Sequence, residues 1–169
     1  QADKRGVRAA IEQNSLAEQH APSRMIGNRE IILKIIAAKQ WDYQRPLSYA
    51  CDSLWYDETF ILAIINADSG AFDNAPDYLK NNASYILFLI KLINKNNLKT
   101  HKILKYCSRN LIENEDFILQ AISLDGLSLA FANDEIRRTE KVILSAVHNN
   151  GMALRYAMGD FSSNRGIVM

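Results

Sequence analysis

An apolar triplet returns along this chain at a near-constant interval, and that repetition limits the available folds more than any other feature. The copies are Ile31-Ile32-Leu33, Phe60-Ile61-Leu62, Tyr85-Ile86-Leu87, Phe117-Ile118-Leu119, Val142-Ile143-Leu144 and Ile167-Val168-Met169. Their starts lie 29, 25, 32, 25 and 25 residues apart, and a degenerate copy, Gly6-Val7-Arg8, lies 25 before the first. A period of 25 with insertions of four and seven residues marks tandem supersecondary units, each too small to bury its own apolar face.

Other positions keep the same frame. Three residues before the triplets stand Asp3, Asn28, Asp57, Asn82, Asn114, Thr139 and Asn164. All are helix N-cap types, whose side-chain oxygen accepts from the unpaired amides of the first turn. Acidic residues follow several of them (Glu30, Glu58, Glu115, Asp116, Glu140), where they complement the helix dipole. Six residues before each triplet from Ile31 onward is an apolar side chain: Met25, Leu54, Leu79, Leu111, Ile136 and Phe161. Four residues earlier comes a small one: Ala21, Ala50, Ala75, Cys107, Ala132 and Ala157. Three earlier again stand Glu18, Leu47, Phe72, Leu104, Leu129 and Leu154.

The cap opens a predicted helix of about eleven residues, ending near Asn14-Ser15, Asp68-Ser69, Asp125-Gly126 or Asn150-Gly151. Asn and Gly tolerate the left-handed backbone that closes many helices, so such a closure is expected there. A helix apolar at Phe60, Ile61, Leu62, Ile64 and Ile65 has a wider oily face than a surface helix and calls for neighbours on two sides. A second, shorter element is predicted near Leu127 to Ala132 and Met152 to Tyr156. Pro22 and Pro76 directly follow its alanine and end it, with a 3₁₀-like turn beyond. Period-two alternation is missing and caps precede each apolar run, which argues against strands. The expected fold is all-α: an α-solenoid of about six repeats of about 25 residues, each a helix, a turn and a short helix or 3₁₀ segment.

The pattern Asn-x-Glu-x-Ile-Leu-x-Ala-Val, an Asn-Gly turn, then Leu-x-Tyr-Ala resembles a short-helix tandem repeat, the domain-of-unknown-function 4116 series. Its clearest copy is Glu140 to Phe161. The resemblance covers nearly the whole chain and weakens before Asn28 and in the two inserted units. It implies a binding scaffold within secreted effectors of intracellular bacterial pathogens, delivered by type IV secretion and acting in virulence. The pattern is also similar to leucine-rich variant repeats, which alternate an α-helix with a 3₁₀ turn. Neither resemblance supplies a catalytic residue.

Twenty basic and nineteen acidic residues give a net charge of +1. A dedicated nucleic-acid binder needs a strong basic excess, and adsorption to anionic membranes needs the same. The longest apolar stretch, near Tyr85 to Ile93, is broken by Lys91 and falls far short of the ~20 residues that span a bilayer. No leader pattern is read at the N-terminus. The chain opens on Gln1 and stops inside the last triplet. The expectation is therefore one helical-repeat domain over residues 1–169, a fragment of a larger protein. Two cysteines, Cys51 and Cys107, fit free thiols in a reducing, cytosol-type compartment, including a host cytosol reached without a leader.

Candidate binding residues come from two features. The position before the small residue holds His20, Tyr49, Asn74, Tyr106, Phe131 and Tyr156, a partial aromatic ladder that either contacts a partner or packs between units. The first insertion brings Trp41, Tyr43 and Arg45, with Trp55 and Tyr56 ending the same unit. Solenoid insertions often form the binding face, although these aromatics could equally fill the gap the insertion opens. The second insertion carries Lys95, Lys99, His101, Lys102 and Lys105, a small basic cluster. His20, His101 and His148 show no ligand spacing, and no cofactor or metal is expected. Cys51 follows its motif alanine and is the one thiol placed to react, whereas Cys107 fills the small position itself.

The expected function is a protein–protein interaction module with a protein partner, a host protein included, and not an enzyme. Two other classes stay open. One is a regulatory or catalytic part of an enzyme with its site on the insertions. The other is an RNA-binding array built on the aromatic ladder.

Overall fold

The computed structural model describes residues 28–37, 47–98 and 101–159, with the backbone alone at residues 69 and 101. Each regular element among the described residues is helical, α or 3₁₀. Where the sequence suggests one domain, the packing divides the chain into two compact units between Pro76 and Asp77. In the first unit, α1 (Arg29–Ala37), η1 (Asp52–Tyr56), α2 (Glu58–Ala67) and η2 (Ser69–Asn74) follow one another, and α2 packs against the other three. The second contains α3 (Asp77–Lys80), α4 (Ala83–Lys95), α5 (His101–Leu104), α6 (Arg109–Ile112) and α7 (Glu115–Leu124). It continues with η3 (Gly126–Phe131), η4 (Ile136–Arg138), α8 (Glu140–Asn149) and η5 (Gly151–Tyr156). Here α7 packs against both α4 and α8, and η3 against both α5 and η5.

The caps fall where the frame puts them. The side chains of Asp57, Asn82 and Asn114 accept from the amides of Phe60 (3.0 Å), Tyr85 (3.0 Å) and Phe117 (2.9 Å). Asn28 accepts one residue earlier, from Glu30 at 3.0 Å. Thr139 departs from the pattern. Its hydroxyl donates back to the Glu135 carbonyl at 3.0 Å and leaves the first-turn amides to themselves. Asp3 and Asn164 lie outside the described residues.

Four of the five long helices bury the same stripe; in α8 only Ile143 and Ala146 are buried, with Val142 and Val147 half-buried. In α1, α2 and α4 the first, second, fifth and sixth positions of the triplet frame are all buried: Ile31, Ile32, Ile35 and Ile36 in α1; Phe60, Ile61, Ile64 and Ile65 in α2; Tyr85, Ile86, Leu89 and Ile90 in α4. In α7 they are Phe117, Ile118, Ala121 and Ile122. The triplet's third residue is different. Leu33, Leu62, Leu87, Leu119 and Leu144 are all half-buried. At about 100° per residue the third position sits on the edge of the stripe, so the buried face is narrower than the five apolar positions suggest.

The end of the helix corrects the expectation. Asp68, Asp125 and Asn150 are extended, with φ of −155°, −141° and −152°, and are not left-handed. Each turns the chain with its side chain, which accepts from the amide two residues on: Gly70 (2.7 Å), Leu127 (3.0 Å) and Met152 (3.0 Å). That Asx turn starts a six-residue 3₁₀ helix directly, so the second element is itself 3₁₀. The segment after the small residue is then a separate turn, α-helical in α3 and α6 and 3₁₀ in η1 and η4. In the third copy the frame offers Ile93 instead of an Asx residue. Without the side-chain turn, α4 runs on to thirteen residues and closes at Asn97, which takes φ 57°.

The small residue occupies one geometry throughout. The amides of Ala50, Ala75, Cys107, Ala132 and Ala157 donate to the carbonyls of Leu47, Phe72, Leu104, Leu129 and Leu154, at 3.0 to 3.2 Å. Ala75, Ala132 and Ala157 all leave that turn extended, with φ near −65° and ψ of 144° to 153°. The apolar residues on either side, Leu47, Phe72, Leu104 and Leu129 before it and Leu54, Leu79, Leu111 and Ile136 after it, are buried.

Polar hooks fix one copy against the next. Both Asn94 of α4 and Asn149 of α8 reach the open carbonyl end of α7. Asn94 donates to the Leu124 carbonyl at 2.7 Å and Asn149 to that of Ser123 at 3.1 Å, while the Asn149 oxygen accepts from the Gly126 amide at 2.9 Å. The approach here is close: a Cβ on Gly126 would lie 2.2 Å from the Ala146 carbonyl oxygen of α8. Gly151, one period later, has nothing within 4 Å of such a Cβ. Gly126→Ala is therefore expected to destabilise by about 1–3 kcal/mol, whereas Gly151→Ala should be neutral or slightly stabilising. Urea unfolding of the two variants measures the contrast, and equal effects would contradict the close contact.

Candidate functional site

The aromatic group of the first insertion separates in the structure. Trp55 is 1% exposed and belongs to the core of the first unit, edge-on to Phe60 (6.2 Å between ring centroids) and Phe72 (6.4 Å). As a partner contact it is withdrawn from the surface. It follows the buried Leu54 in η1, a five-residue 3₁₀ helix that also turns Tyr56 outward. Tyr49 and Tyr56 are 43% and 56% exposed and flank the exposed Cys51 in sequence. Trp41, Tyr43 and Arg45 lie outside the described residues, as does His20.

Cys51 and Cys107 have opposite environments. The Ser53 hydroxyl lies 3.1 Å from the Cys51 sulfur and holds its pKa below the usual thiol value. Burial pushes Cys107 up to about 12, and its thiol points to the Ile103 carbonyl at 3.7 Å.

Beside this surface, Arg29 of α1 donates to the Asp57 carboxylate at 2.9 Å and also to the Thr59 hydroxyl. The Thr59 hydroxyl donates to Asp57 at 2.7 Å. The hydroxyl, the Phe60 amide and the Arg29 guanidinium together hold the Asp57 pKa at about 2.

In the second unit the ladder residues Tyr106, Phe131 and Tyr156 are each half-exposed. Tyr106 directly follows α5, Phe131 ends η3 and Tyr156 ends η5. Because η3 packs against both α5 and η5, these are equivalent positions on adjoining segments. Lys105 lies 5.9 Å from the centre of the Tyr106 ring and Arg155 lies 5.6 Å from that of Tyr156. Two positions after Tyr106 and Tyr156 the backbone forms a link. The Ser108 amide donates to the Lys80 carbonyl (3.2 Å) and the Met158 amide to that of Arg137 (2.8 Å). Lys80 and Arg137 are each held by an aspartate three residues before, Asp77 at 3.2 Å and Asp134 at 4.0 Å. Arg137 also donates to the Tyr156 carbonyl at 2.7 Å. Tyr106 walls an open depression of about 400 Å³ with Tyr78, Lys80, Asn81 and Ser108.

Of the basic insertion, Lys95, Lys102 and Lys105 are exposed. Lys99 and the His101 side chain lie outside the described residues. Three exposed apolar side chains were not singled out in the sequence: Tyr78 (51%), Phe88 (40%) and Met152 (62%). Phe88 was readable. It takes the fourth frame position, which points away from the buried stripe and elsewhere holds Lys34, Ala63, Gln120 and Ser145. Among the described residues no helix is long and apolar enough to cross a membrane, and no group of three or more His, Cys, Asp or Glu is placed to hold a metal ion.

The family model "Domain of unknown function (DUF4116)" matches the chain twice, over residues 87–137 and 114–162. The two overlapping segments cover most of the second unit and start inside α4. No curated protein and no solved structure matches the chain significantly.

Two measurements follow from these environments. Under native conditions a maleimide should label Cys51 and spare Cys107 until the chain unfolds; equal labelling would contradict the burial difference. The Asp57 pKa is lower folded than unfolded, so its contribution is full above about pH 4 and lost as pH falls through about 2. Asp57→Asn keeps an acceptor for the Phe60 amide and removes the charge. Its stability deficit against wild type should shrink as melts are taken from about pH 5 down to about pH 2, and a constant deficit would contradict the ion pair.

Proposed function

We propose that the chain is a protein–protein interaction module, a helical-repeat scaffold in which about six copies of a 25-residue unit stack as a solenoid. The observation that carries this reading is the display of tyrosines by a fixed frame. The residue before the small position is anchored by the same backbone turn in each described copy, and it is aromatic in four of the five described cases: Tyr49, Tyr106, Phe131 and Tyr156, against Asn74. Tyrosine offers a large rigid contact area with a polar tip, which suits it to interfaces. Exposed Tyr49 and Tyr56 offer a contact surface in the unit that carries the first insertion, even with Trp55 in the core.

The setting in a secreted bacterial effector, with a host protein as partner, rests on the resemblance of the repeat and on the match to the uncharacterised family over residues 87–162. Free Cys51 and Cys107 are compatible with action in a reducing compartment.

Replacing Tyr49 and Tyr56 together by alanine should leave the helical circular dichroism and melting temperature close to wild type, since both side chains face solvent. The same change should reduce recovery of a bound protein in a pull-down by at least about tenfold, the scale of one hot-spot residue. Unchanged recovery would remove this surface from the proposal.

A further inference from the structure

The half-exposed row at Tyr106, Phe131 and Tyr156 differs along its length in a way that specifies a ligand. Its two outer members each carry a cation: Lys105 against Tyr106 and Arg155 against Tyr156. Its middle member has Ala130 in that place, so the Phe131 ring carries no cation there. Both cations are exposed, and among the described residues neither has a carboxylate partner. Of the neighbouring acids, Asp77 lies 3.2 Å from Lys80 and Asp134 4.0 Å from Arg137. The row therefore reads cation and ring, bare ring, cation and ring.

We propose that this face of the second unit binds an extended acidic segment of another protein, with carboxylates at Lys105 and Arg155 and apolar side chains over Phe131. The inference rests on the reading of the chain as an interaction module and adds the face and the chemistry of the partner. Packed helical segments lie roughly 8–10 Å apart, so the outer rungs are separated by about 16–20 Å. An extended chain rises about 3.3 Å per residue, so some six residues bridge them. Each cation gains a carboxylate while it stays on its tyrosine ring, and Phe131 covers apolar side chains between them. A single-stranded nucleic acid would want a ring and a phosphate contact at every rung, and the middle rung has no cation.

The test is fluorescence anisotropy with the full chain and a labelled synthetic peptide, Glu-Glu-Ile-Val-Leu-Glu-Glu, at low salt. The expected result is saturable binding that weakens with added salt. Replacing the glutamates by lysine, or the three central residues by serine, should cost at least about tenfold. K105E/R155E should weaken binding by at least about tenfold and K105Q/R155Q by less, with unchanged melting temperatures showing that both fold. Absence of binding to the acidic peptide would overturn the proposal. So would equal binding by K105E/R155E, or tighter binding of an oligouridine than of the peptide. Failure here with a positive result for Tyr49 and Tyr56 sinks this face alone; failure of both sinks the interaction reading itself.

Discussion

The apolar stripe of each long helix can leave water only against the element next to it. In α2 this is Phe60, Ile61, Ile64 and Ile65, covered by α1, η1 and η2; in α7 it is Phe117, Ile118, Ala121 and Ile122, covered by α4, α6, η3 and α8. Each of the large side chains contributes roughly 1.5–3 kcal/mol on full burial. A lone ten-residue helix is marginal in water, so this contact with neighbours supplies most of the stability. Capping, turn and side-chain hooks then decide which way the stripe faces and where the next element begins.

The polar parts act as punctuation. An Asn or Asp cap starts the helix, an extended Asx residue ends it and starts the 3₁₀ helix, and a small residue ends that in turn. Where one mark is missing the form changes in a predictable direction. Without an Asx residue at Ile93, α4 extends until Asn97. With a proline at Pro76, the amide that Ser108 and Met158 use to reach the preceding copy does not exist. The second copy therefore ends without that link.

Much of this was legible because it is periodic. The frame placed the caps at Asn28, Asp57, Asn82 and Asn114, the small residues, and the buried leucines around them. What periodicity does not carry is chemistry that depends on a partner elsewhere. Thr139 is a cap type in the right place, but its hydroxyl is turned back to donate to the Glu135 carbonyl and accepts from no first-turn amide. Asn150-Gly151 suggests a left-handed closure, yet the Asn side chain makes the turn with an extended backbone. Trp55 and Tyr56 are adjacent in sequence and differ from 1% to 56% exposed, because a 3₁₀ turn sends successive side chains about 120° apart. For the candidate surfaces, sequence supplied the residue types and the frame, and the structure decided which of them reach solvent.

The sequence frame separates two kinds of position along the chain. Stripe and small positions are constrained by their neighbours: Ile86 and Leu89 of the stripe and the small residues Ala75 and Ala132 are all buried. The residue just before the small position is not so constrained. Its backbone is held by the turn between Leu129 and Ala132, or its counterparts, while its side chain stays half in solvent. Lys105-Tyr106, Ala130-Phe131 and Arg155-Tyr156 thus differ in charge without any change in the backbone that presents them. Substitution at those pairs changes the charge at the surface and leaves the turn beneath it in place. The same turn therefore carries a different residue pair, with or without a charge, at each of the three positions.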